Sequence, residues 1–232
     1  ILNSIVESGK TPGNILMISD YSGSMDGVDK DRNGHGRPMS ASIALGILTS
    51  EILAEFNPVW GNISISFSNK PEFIKYTHPD GSEMSLFDKV KTALNSEWGG
   101  TTDYLAVYDL ILGHAIEYNL TQEQLPETLI TASDMEFDSA QCKFNRSNGD
   151  YPTLCSLGGK VGDFFRYLRD GAYSGMVAED YAPMHQIIKD AFHEAGKLAC
   201  GEPYKMIKTV YWNLAGNKTT FPINSNAPDT IM

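Results

Sequence analysis

The chain has 232 residues, with 18 Lys+Arg against 29 Asp+Glu and a formal net charge of −11. Hydrophobic residues make up 41% and charged residues 20%, a globular composition that argues against a disordered chain, and the length suits one large domain or two small ones. The acidic excess argues against a general nucleic-acid binder and against docking on an anionic membrane, since both rest on Lys and Arg.

The same excess permits cation binding, although most acids on a protein surface are simply solvated. Three cysteines, Cys142, Cys155 and Cys200, are too few and too scattered for a disulfide framework, which favours a reducing, intracellular setting such as the cytoplasm. No apolar run is long enough to span a bilayer, and no signal peptide is visible. Because the sequence begins at Ile1, the expectation is a piece of a longer protein.

In chain order, residues 14–19 form an apolar run bounded by Pro12-Gly13 and Asp20, which suits a buried strand. A polar loop over 27–38 leads to a helix over 39–56, whose expected stripe is Ala44, Leu48 and Ile52 with Leu45 and Ile47. Residues 62–67 alternate as a strand, with 72–76 as its hairpin or edge partner. A short helix follows over 85–94, with Phe87, Val90 and Leu94 on one side. A tight loop, Trp98-Gly-Gly-Thr-Thr102, precedes a helix from Asp103 to about Tyr118, and Thr121 to Gln124 has capping-box form. Residues 128–133 are a second buried strand ending at Asp134, and 183–198 are a helix with Pro183 near its start. Residues 206–214 are the last full strand, with Tyr211-Trp212 read as core packing. The stretch 139–182 has no clear period and reads as an insertion, with a helical turn around Phe164, Phe165 and Leu168. This order predicts one α/β domain: an open, mostly parallel sheet with helices on both faces and one antiparallel edge strand.

Three polar patches fall at matching element boundaries: Asp20-Tyr-Ser-Gly-Ser-Met25, Gly99-Gly-Thr-Thr-Asp103 and Ser133-Asp-Met-Glu136. In an open α/β sheet, ligands bind beyond the carboxyl ends of the strands, near the point where strand order reverses. Two carboxylates, two or three hydroxyls and water make a hard oxygen set that suits Mg²⁺, with Mn²⁺ or Ca²⁺ as alternatives. Each patch alone reads as an ordinary turn, cap or strand end; it is the three together that point to a metal site.

The three patches resemble the metal-ion-dependent adhesion site of the von Willebrand factor A (vWA) domain. The resemblance implies a roughly six-stranded, open α/β sheet wrapped by helices, and it implies that Asp20, Ser22 and Ser24 form a first metal loop. It implies a further ligand from Thr102, with Thr101 as the alternative, and a carboxylate from Asp134 acting through water. Residues 39–53, 98–114, 129–138 and 210–214 also resemble an uncharacterised vWA-like family of eukaryotes and large DNA viruses, distantly akin to the vWA half of the Ro/TROVE RNA-binding proteins. Against that pattern, the loop 27–38 is long, and the insertion 139–182 would supply partner contacts or cover the site. A last strand and helix of the family are expected to be missing after Ile231-Met232.

The function expected from this is non-enzymatic: a divalent-metal-dependent protein-binding module, in which a partner's Asp or Glu completes the metal shell. The alternatives are a structural or viral assembly component with a vestigial site, an RNA-associated Ro-like protein, and a metal-dependent hydrolase. A haloacid-dehalogenase phosphotransferase needs a second Asp where Ser22 stands. Gly-x4-Gly-Lys-Ser/Thr, Gly-x-Ser-x-Gly and His-Glu-x-x-His are all absent from the sequence, which removes the nucleotide cradle, the nucleophile elbow and the usual zinc helix.

Overall fold

The structure is a computed structural model and describes residues 13–22, 25, 38–67, 71–96, 104–134, 181–214 and 230–231. The expected insertion 139–182 therefore lies almost wholly outside the described residues. So do the loop 27–37 and residues 98–103. The chain divides into two compact units: residues 1–100, 126–136 and 207–232 in the first, residues 101–125 and 137–206 in the second.

The first unit is a mixed α/β structure built on a mostly parallel sheet. Its strands are β1 (Ile15–Asp20), β2 (Ile63–Phe67), β3 (Phe73–Lys75), β4 (Thr128–Ser133) and β5 (Lys208–Asn213). They lie in the order β3-β2-β1-β4-β5, and a two-residue strand β6 (Thr230–Ile231) pairs parallel to the outer side of β5. β1 pairs in parallel with both β2 and β4, β4 pairs in parallel with β5, and β3 is antiparallel to β2 at the edge. The expected hairpin partner of the second strand is thus the antiparallel edge. Leu16 to Asp20 are all buried, as a central parallel strand covered on both faces requires.

Helix α1 (Pro38–Ala54) carries the crossover from β1 to β2 and packs on β1, β2 and β4. Its buried residues are Met39, Ser42, Ile43, Gly46, Ile47, Ser50 and Leu53. The expected stripe through Ala44 and Leu48 is instead the more exposed side: Ala44 is exposed and Leu48 is 37% exposed. The reason is distance rather than hydrophobicity. The helix is apolar nearly all round, so periodicity does not choose a face, whereas three small residues allow one face to approach the sheet closely. A Cβ added at Gly46 would stand 2.6 Å from Ser19 Oγ on β1. Hydrogen bonds fix the approach: Ser19 Oγ donates to the Ser42 carbonyl (3.3 Å), and Ser42 Oγ donates to the Ala132 carbonyl on β4 (3.2 Å).

Helix α2 (Leu86–Leu94) starts at Ser85, whose Oγ accepts the Asp88 N–H at 3.2 Å. The expected apolar side is again displaced. Phe87 is 76% exposed, while Lys89 and Ala93 are buried. Lys89 can sit there because its ammonium donates to Glu51 on α1 (2.7 Å) and to Glu83 (3.2 Å), while its methylene stem packs as a hydrophobe. Burial pulls that ammonium's pKa down, but the bonds and charges of the two glutamates outweigh it and hold the group above the ordinary lysine range. Tyr211 on β5 is core, as expected; Trp212, which points to the opposite face of the strand, is half exposed.

In the second unit, α3 (Tyr104–Glu117) packs on α4 (Tyr181–Cys200), with Tyr108 and Phe192 edge to face at 5.8 Å between ring centroids. α3 ends in a Schellman turn. The Leu120 N–H donates to the Ala115 carbonyl (2.9 Å) and the Asn119 N–H to that of Ile116 (3.3 Å), with Asn119 in the left-handed region. The expected capping box forms at Thr121 and Gln124, where the Thr121 N–H donates to Gln124 Oε1 at 2.8 Å. Among the described residues, no helix is long and apolar enough to cross a membrane.

Candidate metal centre

Strand order reverses between β1 and β4: the chain runs outward from β1 to β2 on one side and from β4 to β5 on the other. The carboxyl ends of these two neighbours are where an open α/β sheet binds ligands. Asp20 is the last residue of β1, and Ser133 the last of β4, followed by Asp134. The register sets Ser19 beside Ala132, so Asp20 and Ser133 are neighbours across the two strands.

Both carboxylates are buried, Asp20 at 1% and Asp134 at 4% exposure. Asp20 is held at each oxygen. Its Oδ1 accepts the Ser22 N–H (2.8 Å), and its Oδ2 accepts the Ser133 hydroxyl (2.5 Å). Burial raises the Asp20 pKa above the ordinary carboxylate value. The bonds from Ser133 and Ser22 pull it back without cancelling the burial, and the nearby Asp134 charge adds to the rise. Two like charges at the edge of a low-dielectric core make a place that favours a cation.

Three of the expected metal residues are therefore described. Asp20 and Asp134 lie within electrostatic reach of each other, and Ser22 is tied to Asp20 through its backbone. Ser24, Thr102 and the alternative Thr101 lie outside the described residues. The donor chemistry fits a hard divalent ion. Asp20 brings one carboxylate, oriented by the Ser22 N–H and the Ser133 hydroxyl, and Asp134 brings a second. Among the described residues no group of three or more His, Cys, Asp or Glu converges, so a closed cage of carboxylates or a zinc site is not formed there.

Ser133 is a contributor that spacing alone did not identify. It stands inside the quoted Ser-Asp pair, but only the parallel register of β1 and β4 brings its hydroxyl onto Asp20. Behind the site the polar groups continue inward. Ser64 Oγ and the Tyr76 hydroxyl are 2.8 Å apart, and the Tyr21 hydroxyl lies beside Ser19, Ser64 and Tyr76. Burial pushes the Tyr21 phenol well above its ordinary range, so it is neutral at any working pH and adds no charge to the site.

No solved structure matches the chain significantly. The chain is similar to "Uncharacterized protein L728" of Acanthamoeba polyphaga mimivirus, at 35% identity over 151 residues, 65% of this chain. It spans only 23% of that relative's length. Both this viral relative and the family assignment accord with the expected uncharacterised viral and eukaryotic kinship. The family match covers residues 14–232, nearly the whole chain, which therefore belongs to the family described as Domain of unknown function (DUF7788).

Proposed function

We propose that the first unit is a vWA-type module that holds one divalent cation, Mg²⁺ in the first instance, and uses it to bind an acidic group of a protein partner without catalysis. One observation carries this reading: two buried carboxylates, Asp20 and Asp134, stand within electrostatic reach of each other at the carboxyl ends of β1 and β4, where strand order reverses. The antiparallel edge strand and the crossover helix on the sheet agree with a vWA-type sheet.

Asp20 and Asp134 would hold the ion, with Ser22 and Ser24 supplying hydroxyls. The Ser133 hydroxyl and the Ser22 N–H orient Asp20, so its carboxylate is preorganised before any ligand arrives. When bound, the ion supplies an incompletely neutralised positive centre that an Asp or Glu of a partner can approach. No side chain described here is asked to act as acid, base or nucleophile.

Affinity capture tests the reading. Wild-type protein in Mg²⁺ should retain a partner that EDTA releases, and Asp20→Ala should retain none. Capture that ignores both EDTA and the substitution would point to a scaffold role with a vestigial site instead.

A further inference from the structure

Met25 is fully buried, although it belongs to the polar first patch. It touches three elements through three different atoms. Its N–H donates to the Ser22 carbonyl (3.0 Å), closing the turn that follows Asp20. Its carbonyl accepts the Met39 N–H (3.2 Å), one of the open donors at the start of α1. Its Sδ accepts the Asp134 N–H (3.1 Å). A thioether is a weak acceptor, but a buried amide left without it loses a partner for which the core offers little replacement.

We infer that Met25 is a positioning residue: a clasp that ties the loop after β1 to the residue after β4 and so fixes the separation of the Asp20 and Asp134 carboxylates. The chain from Met25 to Met39 begins and ends on the same backbone hydrogen bond, so the clasp also seats α1 against the site. The consequence for cation affinity rests on the function proposed above; the clasp itself does not.

The test uses the whole chain and reads the Asp134 amide by NMR, together with Mg²⁺ titration. Selenomethionine labelling exchanges all nine methionines, so it should move the Asp134 amide proton resonance in wild type and move it less in Met25→Leu, the difference being the share that belongs to the Met25 sulfur. Met25→Leu keeps the volume and removes the acceptor. It should speed Asp134 amide exchange about tenfold and weaken Mg²⁺ binding about five- to tenfold. An Asp134 resonance indifferent to selenium overturns the clasp, and it does so even if Met25→Leu fails to fold. Mg²⁺ binding equal in Met25→Leu and wild type overturns the positioning role. A wild type that binds no Mg²⁺ overturns the cation reading, while the selenium response still decides whether the clasp exists.

Discussion

Asp20→Asn is expected to stabilise the cation-free protein at neutral pH and to abolish its stabilisation by Mg²⁺. The two effects have one cause. An asparagine can keep the geometry, with Oδ1 still accepting the Ser22 N–H and the amide donating to Ser133 Oγ, but it carries no charge into the buried position. In wild type the folded state holds the Asp20 proton more tightly than the unfolded chain does, because burial raises its pKa. The folded state therefore binds more protons in that window, and stability falls as pH rises from about 4, the ordinary Asp value, through the raised folded value. Above that range the full penalty persists unless a cation offsets it. Asp20→Asn should lack this decline. With Mg²⁺ at about 100 times its Kd, linkage gives wild type about 2.7 kcal/mol. That corresponds to a rise of about 5–10 °C in Tm for a chain of this size, against none in Asp20→Asn. Differential scanning calorimetry at pH 5 and 7, with and without Mg²⁺, checks both signs. A variant less stable than wild type without the ion, or one still stabilised by it, would sink the account of Asp20.

Gly46→Leu is expected to cost about 3 kcal/mol or more and to lower Tm by about 6–12 °C. The added Cβ alone would lie 2.6 Å from Ser19 Oγ, 3.5 Å from the Tyr76 hydroxyl and 3.6 Å from Ser64 Cβ. A leucine at this position must lift α1 from β1 or break the Ser19 to Ser42 bond. Either displacement bears on the site, since Ser19 precedes Asp20 and the Met39 N–H is bound to Met25. Gly46→Ala separates the two contributions. Alanine gains about 1 kcal/mol of helix propensity over glycine, so the steric cost is the net loss in Gly46→Ala plus about that amount. Chemical denaturation of both variants gives the comparison; a Gly46→Leu protein as stable as wild type would mean that the close approach of helix and sheet is not constrained there.

The strands were the most legible part of the fold. Residues 14–19, 62–67 and 128–133 are short apolar or alternating runs closed by turn residues, and each became a strand within a residue or two of that reading. Helix positions were legible too, but helix faces were not. In α1 hydrophobicity points nearly everywhere, and the decisive property is the smallness of Ser42, Gly46 and Ser50. In α2 a lysine takes the buried position because two glutamates from elsewhere in the chain, Glu51 and Glu83, meet it there. A pairing such as Lys89 with Glu51, 38 residues apart, leaves no local period. The candidate site followed the same division. Asp20 and Asp134 were visible as strand ends, whereas Ser133 and Met25 acquire their roles only from the register of β1 against β4 and from the turn after β1.

The central claim is that Asp20 and Asp134 hold a divalent cation, and isothermal titration of Mg²⁺ and Mn²⁺ into wild type and Asp20→Ala tests it most directly. The account predicts saturable binding of one ion by wild type and its loss in Asp20→Ala. Equal heats in the two proteins would contradict it.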